Sequence, residues 1–422
     1  MKKINSLTGM VDLLPSKSNH EDIANKIYTV ERKLKKIFEN FSFFEIRTPA
    51  LEHTALFERS VGESSDIVNK ELYTFLDKND NSICLRPEGT ASVIRSVIEK
   101  KLDGDLSKFY YLGPMWRYER PQKGRFRQFF QAGVEVLGYP EGLAELELVS
   151  MICNLNKEFK INNPVLKINH LGNPETKEKF SRSLLDYLNP MKSDLNEKDL
   201  SRLKNNPLRV LDSKDPKTQE ILKDAPSISD YLPKSSLELL LKIKKIFSEE
   251  CNIKIDHNLV RGLDYYSGFV FESISSDLGA QDAYLGGGRY DNLCSQLGGK
   301  DMPAIGMAIG IERLALISSL SKNSRITITF IIISNNNQSK AYKIAHNLRS
   351  TNKNIYIDVQ LSDASLKSKL RRANKDNASY AVIIGDEELE SNKVILKPLN
   401  IKDSEQTVMT INELKKFIQD LG

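Results

Sequence analysis

The sequence predicts an α+β fold, in which helices flank an antiparallel sheet, a helical insertion interrupts the sheet, and a separate α/β domain follows. Short strand patterns occur before residue 172 and return near residue 252. The stretch between them is rich in Lys, Glu, Ser and Leu and lacks β-branched alternation. Strand and helix patterns alternate after residue 326. We therefore expect four regions, at residues 1–171, 172–251, 252–320 and 326–422.

The first region predicts a helix, several short strands and a hairpin. Residues 20–39 form an apolar stripe at the helical spacing of three and four, carried by Ile23, Ile27, Val30, Leu34 and Phe38. Two short strands flank the turn-forming residues 78–81. The elements after the helix are strands at Phe43–Arg47, Leu72–Leu76 and Ile83–Arg86, a hairpin at 109–138, and a helix at Glu141–Lys157.

The hairpin segment Leu112–Gly138 is the most informative part of the chain. Its loop carries one acidic residue, Glu119, and five basic ones, Arg117, Arg120, Lys123, Arg125 and Arg127. Side chains alternate along a strand, so Gln131, Gly133 and Glu135 share the face opposite to Phe130, Ala132, Val134 and Val136. Several phosphates need several donors, so arginines beside a polar face favour a site for a phosphate-rich ligand. An ordinary solvated hairpin is the alternative.

The later regions predict a helical insertion, a return to strands, and a final α/β domain. Ser236–Phe247 is strongly amphipathic and predicts a helix of the insertion. Strands are expected at Phe269–Ser273, Asp282–Leu285 and Met307–Ile309, followed by a polar linker at Ser319–Ser324. The last domain predicts Ile326–Ile333, Ile355–Val359 and Tyr380–Ile384 as strands, and Lys340–Ser350 and Leu366–Lys375 as helices. Thr410 and Glu413 fit a capping box that opens the final helix.

Composition excludes several classes of protein. The formal net charge is +5, from 61 basic and 56 acidic residues, which is too small by itself to indicate nucleic-acid binding. The four cysteines form no CxxC pair and the five histidines no HExxH motif, so we expect no protein-held zinc. Scattered cysteines indicate reduced thiols and a cytoplasmic location. The chain shows no signal-peptide pattern and no apolar run of about 18 residues, so no membrane span is expected.

Two segments carry arginine at positions suited to anion binding. Gly310–Arg313 closes an apolar strand and opens the helix predicted at Leu314–Leu320, so Arg313 would add a full charge to the free N–H groups there. Leu259–Gly268 places Arg261 beside Tyr265 and Tyr266, where the guanidinium could neutralise developing phosphate charge. The plain alternatives are an Arg313–carboxylate pair and a turn packed with ordinary core tyrosines.

Three further segments allow both a functional and a structural interpretation. Gly286–Asp291, which follows a predicted strand, is neither a Walker loop nor a Rossmann fingerprint, although its glycines permit close approach to a ligand or a tight turn. Glu88 and Thr90 could bind a substrate ammonium group, or Thr90 could cap a helix. The basic residues around the apolar stripe of Leu366–Lys375 favour a solvated helix face over RNA contact.

Together these segments resemble the histidyl-tRNA synthetases, a family of class II aminoacyl-tRNA synthetases. Phe43–Glu52 looks like motif 1, Met115–Glu135 like motif 2 and Ala304–Leu316 like motif 3. The histidine-specific signals are LVRGLDYY at Leu259–Tyr266 and GGGRYD at Gly286–Asp291. Residues 206–216 of the insertion, NPLRVLDSKDP, look like the bacterial form. Ser42 and Trp116 depart from the family pattern, which has a glycine and a smaller aromatic residue there.

The resemblance implies a reaction and a role for each matching residue. Histidine and ATP would give histidyl adenylate and pyrophosphate, and histidine would then pass to the 3′ terminal adenosine of tRNA-His. Arg117 and Arg261 would be catalytic. The ATP contacts would be Arg117, Glu119, Arg125 and Arg313. The histidine contacts would be Glu88, Thr90, Gln131, Glu135, Arg261, Tyr265 and Tyr266.

The same resemblance implies partners and a rival function. Magnesium would accompany ATP, the chain would form a homodimer through motif 1, and residues 326–422 would bind the anticodon. Gln122, Lys123 and Arg127 are candidates for contact with the tRNA acceptor end. The rival is a non-catalytic regulatory paralogue that controls histidine biosynthesis. Such proteins tend to lose LVRGLDYY and the last domain, both of which this sequence has. A third reading, an RNA-sensing module, has no kinase-like segment to support it.

Overall fold

The computed structural model divides into two compact units. One comprises Met1–Leu13 and Lys26–Leu320, and the other Leu14–Asn25 and Ser321–Gly422. The structure describes residues 3–14, 22–62, 65, 67–122, 124–279, 282–320, 326–333, 337–399 and 405–421. The predicted linker at Ser319–Ser324 therefore lies mostly outside the described residues, as does Lys123 of the basic loop.

The first unit is built on a large sheet. Its strands, in chain order, are β1 (Phe44–Glu45), β2 (Leu51–His53), β3 (Tyr73–Leu76), β4 (Ser82–Leu85), β5 (Ser107–Trp116), β6 (Gln128–Leu137), β7 (Val165–His170), β8 (Asn252–Ile255), β9 (Phe269–Ile274), β10 (Ala283–Arg289) and β11 (Ala304–Gly310). Within the described residues, eight of these form one sheet in the order β1-β5-β6-β11-β10-β9-β7-β8. The predicted antiparallel sheet is confirmed for its six central strands, whereas the edge strands β1 and β8 run parallel to their neighbours. Strands β2, β4 and β3 form a separate small sheet.

Helices cover both faces of the large sheet. They are α1 (Ile23–Asn40), α2 (Thr54–Val61), α3 (Thr90–Glu99), α4 (Leu143–Glu158), α5 (Pro174–Leu188), α6 (Glu197–Asn205), α7 (Pro216–Ile221), α8 (Lys234–Ile246), α9 (Leu293–Gln296) and α10 (Ile311–Ile317). Short 3-10 helices lie at Asn189–Asp194, Pro207–Asp212, Leu222–Asp224, Ile228–Asp230 and Ser276–Leu278, and a π-helix at Ile67–Glu71. One core cluster joins α1 and α4 to Val134 and Val136 of β6, so the apolar face predicted for that strand is buried. The insertion is helical as predicted.

Several element boundaries differ from the sequence prediction, and two of them bear on the site. Strand β10 runs to Arg289, so the prediction that Gly286–Gly288 follow a strand was wrong. Glycine has low strand propensity, but β10 pairs along this stretch with both β9 and β11, and that pairing decides the conformation. A Cβ added at Gly287 would lie 2.1 Å from the carbonyl oxygen of Gly306, so the close pairing itself requires glycine. Helix α10 begins at Ile311, three residues before the predicted Leu314.

The second unit carries its own sheet. Its strands are β12 (Ile326–Ile332), β13 (Ile355–Val359), β14 (Tyr380–Ile384), β15 (Lys393–Pro398) and β16 (Thr407–Thr410), in the order β13-β12-β14-β15-β16. Its helices are α11 (Gln338–Leu348), α12 (Leu366–Lys375), α13 (Asp386–Glu390) and α14 (Ile411–Asp420). The predicted capping box is confirmed, because the N–H of Glu413 donates to Thr410 Oγ1 at 3.2 Å and the N–H of Thr410 to Glu413 Oε2 at 2.7 Å. In the described part of the chain, no helix has the length and apolar character needed to cross a bilayer.

Candidate active site

The strand register places a polar face of β6 next to a row of glycines. Glu135 of β6 lies opposite Gly306 of β11, which in turn lies opposite Gly288 of β10. Gly133, which is two residues before Glu135 on β6, lies opposite Ala308 of β11. Because side chains two residues apart share a face of a sheet, these positions form one continuous surface of small residues. That surface leaves space above the sheet for larger side chains and for a ligand.

Side chains of the site already occupy part of this space. A Cβ at Gly306 would lie 1.8 Å from Glu135 Oε2, and one at Gly286 would lie 2.2 Å from Arg261 Nη2. A Cβ at Gly133 would lie 2.3 Å from the hydroxyl of Tyr111. The glycines of β6, β10 and β11 therefore make room for an acid, a guanidinium and a phenol. Within the glycine triplet, Gly286 makes room for Arg261, whereas Gly287 is required by the close approach of β11. The sequence had left the triplet open between a tight turn and the approach of a ligand.

A cavity of about 610 Å³ opens over this face of the sheet. It is lined by residues from the hairpin, from the loop between β8 and β9, from α10 and from the insertion. Ten of the eleven predicted site residues line it, namely Glu88, Thr90, Arg117, Glu119, Arg125, Gln131, Arg261, Tyr265, Tyr266 and Arg313. The eleventh, Glu135, does not line the cavity and is fully buried directly behind Thr90.

Glu88 and Thr90 sit where α3 begins. The carboxylate of Glu88 accepts hydrogen bonds from the backbone N–H groups of Thr90 at 2.7 Å and Ala91 at 2.8 Å. Glu88 therefore satisfies the free donors of this helix start, and the alternative that Thr90 caps the helix was wrong. The Thr90 hydroxyl instead donates to Glu135 Oε1 at 2.8 Å. Burial raises the pKa of Glu88, and its hydrogen bonds act in the opposite direction.

Glu135 lies in a closed cluster of hydroxyl groups. Its second carboxyl oxygen accepts a very short hydrogen bond from the hydroxyl of Tyr290, which is the tyrosine of the GGGRYD segment. Burial raises the pKa of Glu135 to about 8, although the bonds from Tyr290 and Thr90 lower it. Tyr290 was not among the predicted site residues, yet its motif was the signal that could have revealed it. Its ring also contacts that of Tyr265, with the centroids 5.6 Å apart.

The arginines of the cavity are held by carbonyl and carboxylate groups. Arg117 donates from Nε to the carbonyl of Pro87 at 2.9 Å, and Arg125 Nη1 lies 3.1 Å from Glu119 Oε2. Arg261 forms a close ion pair with Glu272, a residue that sequence reasoning missed. Among the described residues, the buried Nε of Arg261 has no hydrogen-bond partner. This side of the cavity therefore concentrates positive charge, and Arg261 Nε is a hydrogen-bond donor that remains available.

Arg313 completes this group of positive charges. Burial lowers its pKa, and the nearby charge of Arg125 lowers it further. Of the basic residues in the hairpin loop, Arg117 and Arg125 line the cavity. Arg127 does not, because it stacks on Tyr118 with its guanidinium 3.8 Å from the ring centroid. An anion bound between Arg125 and Arg313 would relieve the repulsion between them.

The fold and the site together define a class of enzyme. The antiparallel sheet contains a hairpin whose loop carries arginines. A further arginine, Arg313, lies in the first turn of α10, directly after β11. Arg117 and Arg125 of this loop and Arg313 reach one cavity that also holds carboxylate, amide and phenol groups. This is the architecture of the catalytic unit of a class II aminoacyl-tRNA synthetase, as the three motifs predicted.

Comparison with known proteins gives the family. A histidyl-tRNA synthetase model matches residues 9–314, and an anticodon binding domain model matches residues 327–421. The chain is 41% identical over 439 residues to a histidine–tRNA ligase of Francisella philomiragia, with 100% of both chains covered. It also matches the crystal structure of apo S. aureus histidyl-tRNA synthetase with a TM-score of 0.78 and 31% identity over 100% of both chains. The chain therefore belongs to the histidyl-tRNA synthetase family, and it is an aminoacyl-tRNA synthetase.

The predicted rival can be placed against the same comparisons. A crystal structure from Bacillus halodurans, described as an ATP phosphoribosyltransferase regulatory subunit/histidyl-tRNA synthetase, matches with a TM-score of 0.65 and 22% identity. It covers 91% of this chain, and at that identity it shows a shared fold alone. The full-length ligase relative is far more similar, so the regulatory paralogue is not favoured.

Proposed function

We propose that this chain is a histidine–tRNA ligase that activates histidine with ATP and transfers it to the 3′ terminal adenosine of tRNA-His. The observation that carries the proposal is that one cavity holds two kinds of chemistry. Carboxylate, hydroxyl, amide and phenol groups suit an amino acid with a polar ring. Four of the five described arginines that line the cavity, Arg117, Arg125, Arg261 and Arg313, suit a triphosphate. The ligase relatives and the family match support the same reaction.

The amino-acid part of the proposal rests on the residues around Thr90. Glu88, Thr90 and Gln131 line the cavity together and offer acceptors for the ammonium group of histidine. Tyr266 and Glu135 are assigned to the two imidazole nitrogens. Glu135 touches Thr90, so its carboxyl group needs only a local shift to reach a ring bound in the cavity. A ligand that lacks one of the nitrogens would lose one of these two contacts, which would favour histidine.

The nucleotide part of the proposal rests on the arginines. Arg117 is assigned to the α-phosphate, Arg125 and Arg313 to the outer phosphates, and Glu119 to the adenine amino group. Glu119 is paired with Arg125 in this structure, so ATP would replace that ion pair with two new contacts. Magnesium would enter with ATP and be held mainly by its phosphates. The carboxylates of Glu272 and Asp282 line the same cavity and are suitable oxygen ligands.

The proposed mechanism uses positioning and charge. A carboxylate oxygen of histidine attacks the α-phosphorus of ATP, the bond to the bridging oxygen breaks, and pyrophosphate leaves. A ribose hydroxyl of the tRNA then attacks the carbonyl carbon of the adenylate, and AMP leaves. Arg261 and Arg117 would offset the repulsion between the anionic reactants and stabilise charge at the α-phosphate. Tyr265 would support this pocket through its ring contacts with Tyr266 and Tyr290.

The proposal includes an assembly and a place in protein biosynthesis. Residues 1–171 and 252–320 would form the catalytic domain, and residues 326–422 would bind the anticodon. Phe44 and Leu51 of the motif 1 segment are 73% and 46% exposed, which suits burial against a partner subunit in a homodimer. We assign the enzyme to the cytoplasm, where tRNA charging takes place.

ATP–pyrophosphate exchange with each of the twenty amino acids tests the proposal. Exchange that depends on histidine alone, together with charging of tRNA-His, is the expected result. The regulatory alternative predicts histidine binding without exchange. Glu88→Ala and Arg313→Ala separate the two halves of the site, because the first should raise the KM for histidine and the second the KM for ATP. Equal effects of both variants on both substrates would count against the assignment of residues.

A further inference from the structure

The loop that carries Arg261 lacks regular structure of its own. Residues 256–268 join β8 to β9 and contain no helix or strand. Both ends of the loop are tied to the sheet. Asn169 of β7 donates from its side-chain amide to the carbonyl oxygens of His257 at 3.2 Å and Leu259 at 2.9 Å, and the N–H of Ser267 donates to the carbonyl of Arg289 at 2.7 Å. The middle of the loop, which holds Arg261, needs a different support.

The helical insertion supplies that support. Asn206, which follows α6, donates from Nδ2 to Asp264 Oδ1 at 2.9 Å. Arg209 donates from Nη2 to the carbonyl of Gly262 at 3.1 Å. Both contacts are made between Arg261 and Tyr265 in the chain, at Gly262 and Asp264. The Asn206 side chain makes no capping bond to the 3-10 helix that it precedes, so its amide is committed to the loop.

Asn206 itself stands on a well-fixed part of the insertion. Asp199 of α6 is 1% exposed, and it accepts hydrogen bonds from Ser213 Oγ at 2.5 Å and Thr218 Oγ1 at 2.9 Å. These bonds tie α6 to the segment after the 3-10 helix and to α7. Apolar residues of the same segments share a core cluster with Leu259, Tyr265 and Tyr266. These hydrogen bonds and apolar contacts make the part of the insertion around Asn206 rigid, so the Asn206 amide is held in a fixed position.

Asp264 is also confined on its other side. A Cβ at Gly62, after α2, would lie 2.7 Å from Asp264 Oδ2, and Gly62 has a φ of +92° that favours glycine. The Asp264 carboxylate thus lies between the end of α2 and the insertion. A change at Asn206 would alter the loop at a point three residues from Arg261.

We propose that Asn206 is a positioning residue for histidine activation, which acts through Asp264 to hold Arg261 in the cavity. The inference rests on the proposed function, because Arg261 is assigned there to the transition state. Its consequence is that the helical insertion takes part in adenylate formation, before any tRNA is bound. A displacement of about 1 Å in a group that stabilises a transition state can lower the rate about 100-fold, so a single lost amide–carboxylate contact is measurable.

Swapping the amide of Asn206 and the carboxylate of Asp264 between the two positions tests the proposal in the full-length enzyme. Asn206→Asp places a carboxylate against Asp264 and should lower the kcat of histidine-dependent exchange about 30-fold, with less than about threefold change in the KM for ATP. The double variant Asn206→Asp/Asp264→Asn restores one amide and one carboxylate, and should return kcat to within about threefold of wild type. Asn205→Asp, an exposed neighbour, is the matched control and should have no effect.

A second arm tests the route through Arg261. In an Arg261→Ala background, Asn206→Asp should lower kcat by less than about threefold, because the group that it positions is gone. Each rate is divided by the concentration of active sites, which is measured from the burst of adenylate formation. If Asn206→Asp does not fold, Asn206→Ala takes its place. A 30-fold loss that persists without Arg261, or a double swap as impaired as Asn206→Asp, overturns the proposal. Wild-type enzyme without histidine-dependent exchange would instead refute the proposed function.

Discussion

Replacing Glu135 by glutamine separates the charge of this buried side chain from its shape. The carboxyl group is fully buried and accepts hydrogen bonds from Thr90 and Tyr290. Burial raises its pKa from the ordinary 4.5 to about 8. Glutamine keeps one acceptor oxygen and nearly the same volume, but it cannot ionise. The variant therefore removes a single proton-binding group from the folded state and leaves the packing in place.

The sign of the effect on stability follows from proton binding. The unfolded chain releases the Glu135 proton near pH 4.5, whereas the folded protein holds it until about pH 8. The stability that this proton gives is fully present below pH 4.5 and is lost as the pH rises towards 8. One proton corresponds to about 1.4 kcal/mol per pH unit, so ligand-free wild type should lose about 2 kcal/mol of unfolding free energy between pH 6 and 8 through this group. Glu135→Gln should not show that loss.

Guanidinium unfolding of both ligand-free proteins at pH 6, 7 and 8 measures the difference directly. The gap between variant and wild type should widen in favour of Glu135→Gln by about 2 kcal/mol across this range. Glu178→Gln is the control, since the Glu178 side chain is 64% exposed. Parallel pH dependences for wild type and Glu135→Gln would refute the reasoning. The same variant should raise the KM for histidine about tenfold or more, because an imidazole partner is lost, and leave the KM for ATP unchanged.

Three further outcomes are expected. Arg261→Ala should lower the kcat of exchange about 100-fold or more with unchanged thermal unfolding, and normal exchange would exclude its role. Ser42 has a φ of +62° at the end of α1, so Ser42→Gly should raise the unfolding free energy by about 0.5 to 1 kcal/mol in urea; a lower stability would contradict this. Removing residues 326–422 should abolish most tRNA charging while exchange stays within about threefold, and equal losses would argue against a separate anticodon-binding domain.

The sequence predicted the polar face of β6 because the residues of that face lie on one regular strand. Alternation along β6 placed Gln131 and Glu135 on one face, and in the structure this face lies opposite the one that packs Val134 and Val136 against α1 and α4. Alternation does not show how far each side chain lies from the cavity. Gln131 reaches the cavity, whereas Glu135 stays one layer below it, because Gly306 leaves room for its carboxyl group against the sheet. Depth depends on the neighbouring strand, which a pattern along one strand does not contain.

Other parts of the site come from contacts between segments far apart in sequence. Tyr290 donates to Glu135 across 155 positions of the chain, and no local pattern announces such a bond. The insertion was predicted as a helical region from its composition, but its place as one wall of the cavity depends on tertiary packing around Asp199 and Asn206. The glycines of β10 were predicted to follow the strand, because glycine has a low propensity for strands. In the structure, β10 pairs with a strand on each side, and this pairing overrides the propensity.

The acidic partners explain how the ligand-free protein tolerates so many arginines in one cavity. Arg125 is paired with Glu119 and Arg261 with Glu272, so two of the guanidinium groups have a carboxylate partner within the protein. A triphosphate must displace these carboxylates or bridge them through magnesium, and only a ligand with several negative charges offers enough contacts to do so. On the proposed assignment, the same ion pairs would favour a ligand with several phosphates over a ligand with one, because each phosphate offers a further partner to the arginines.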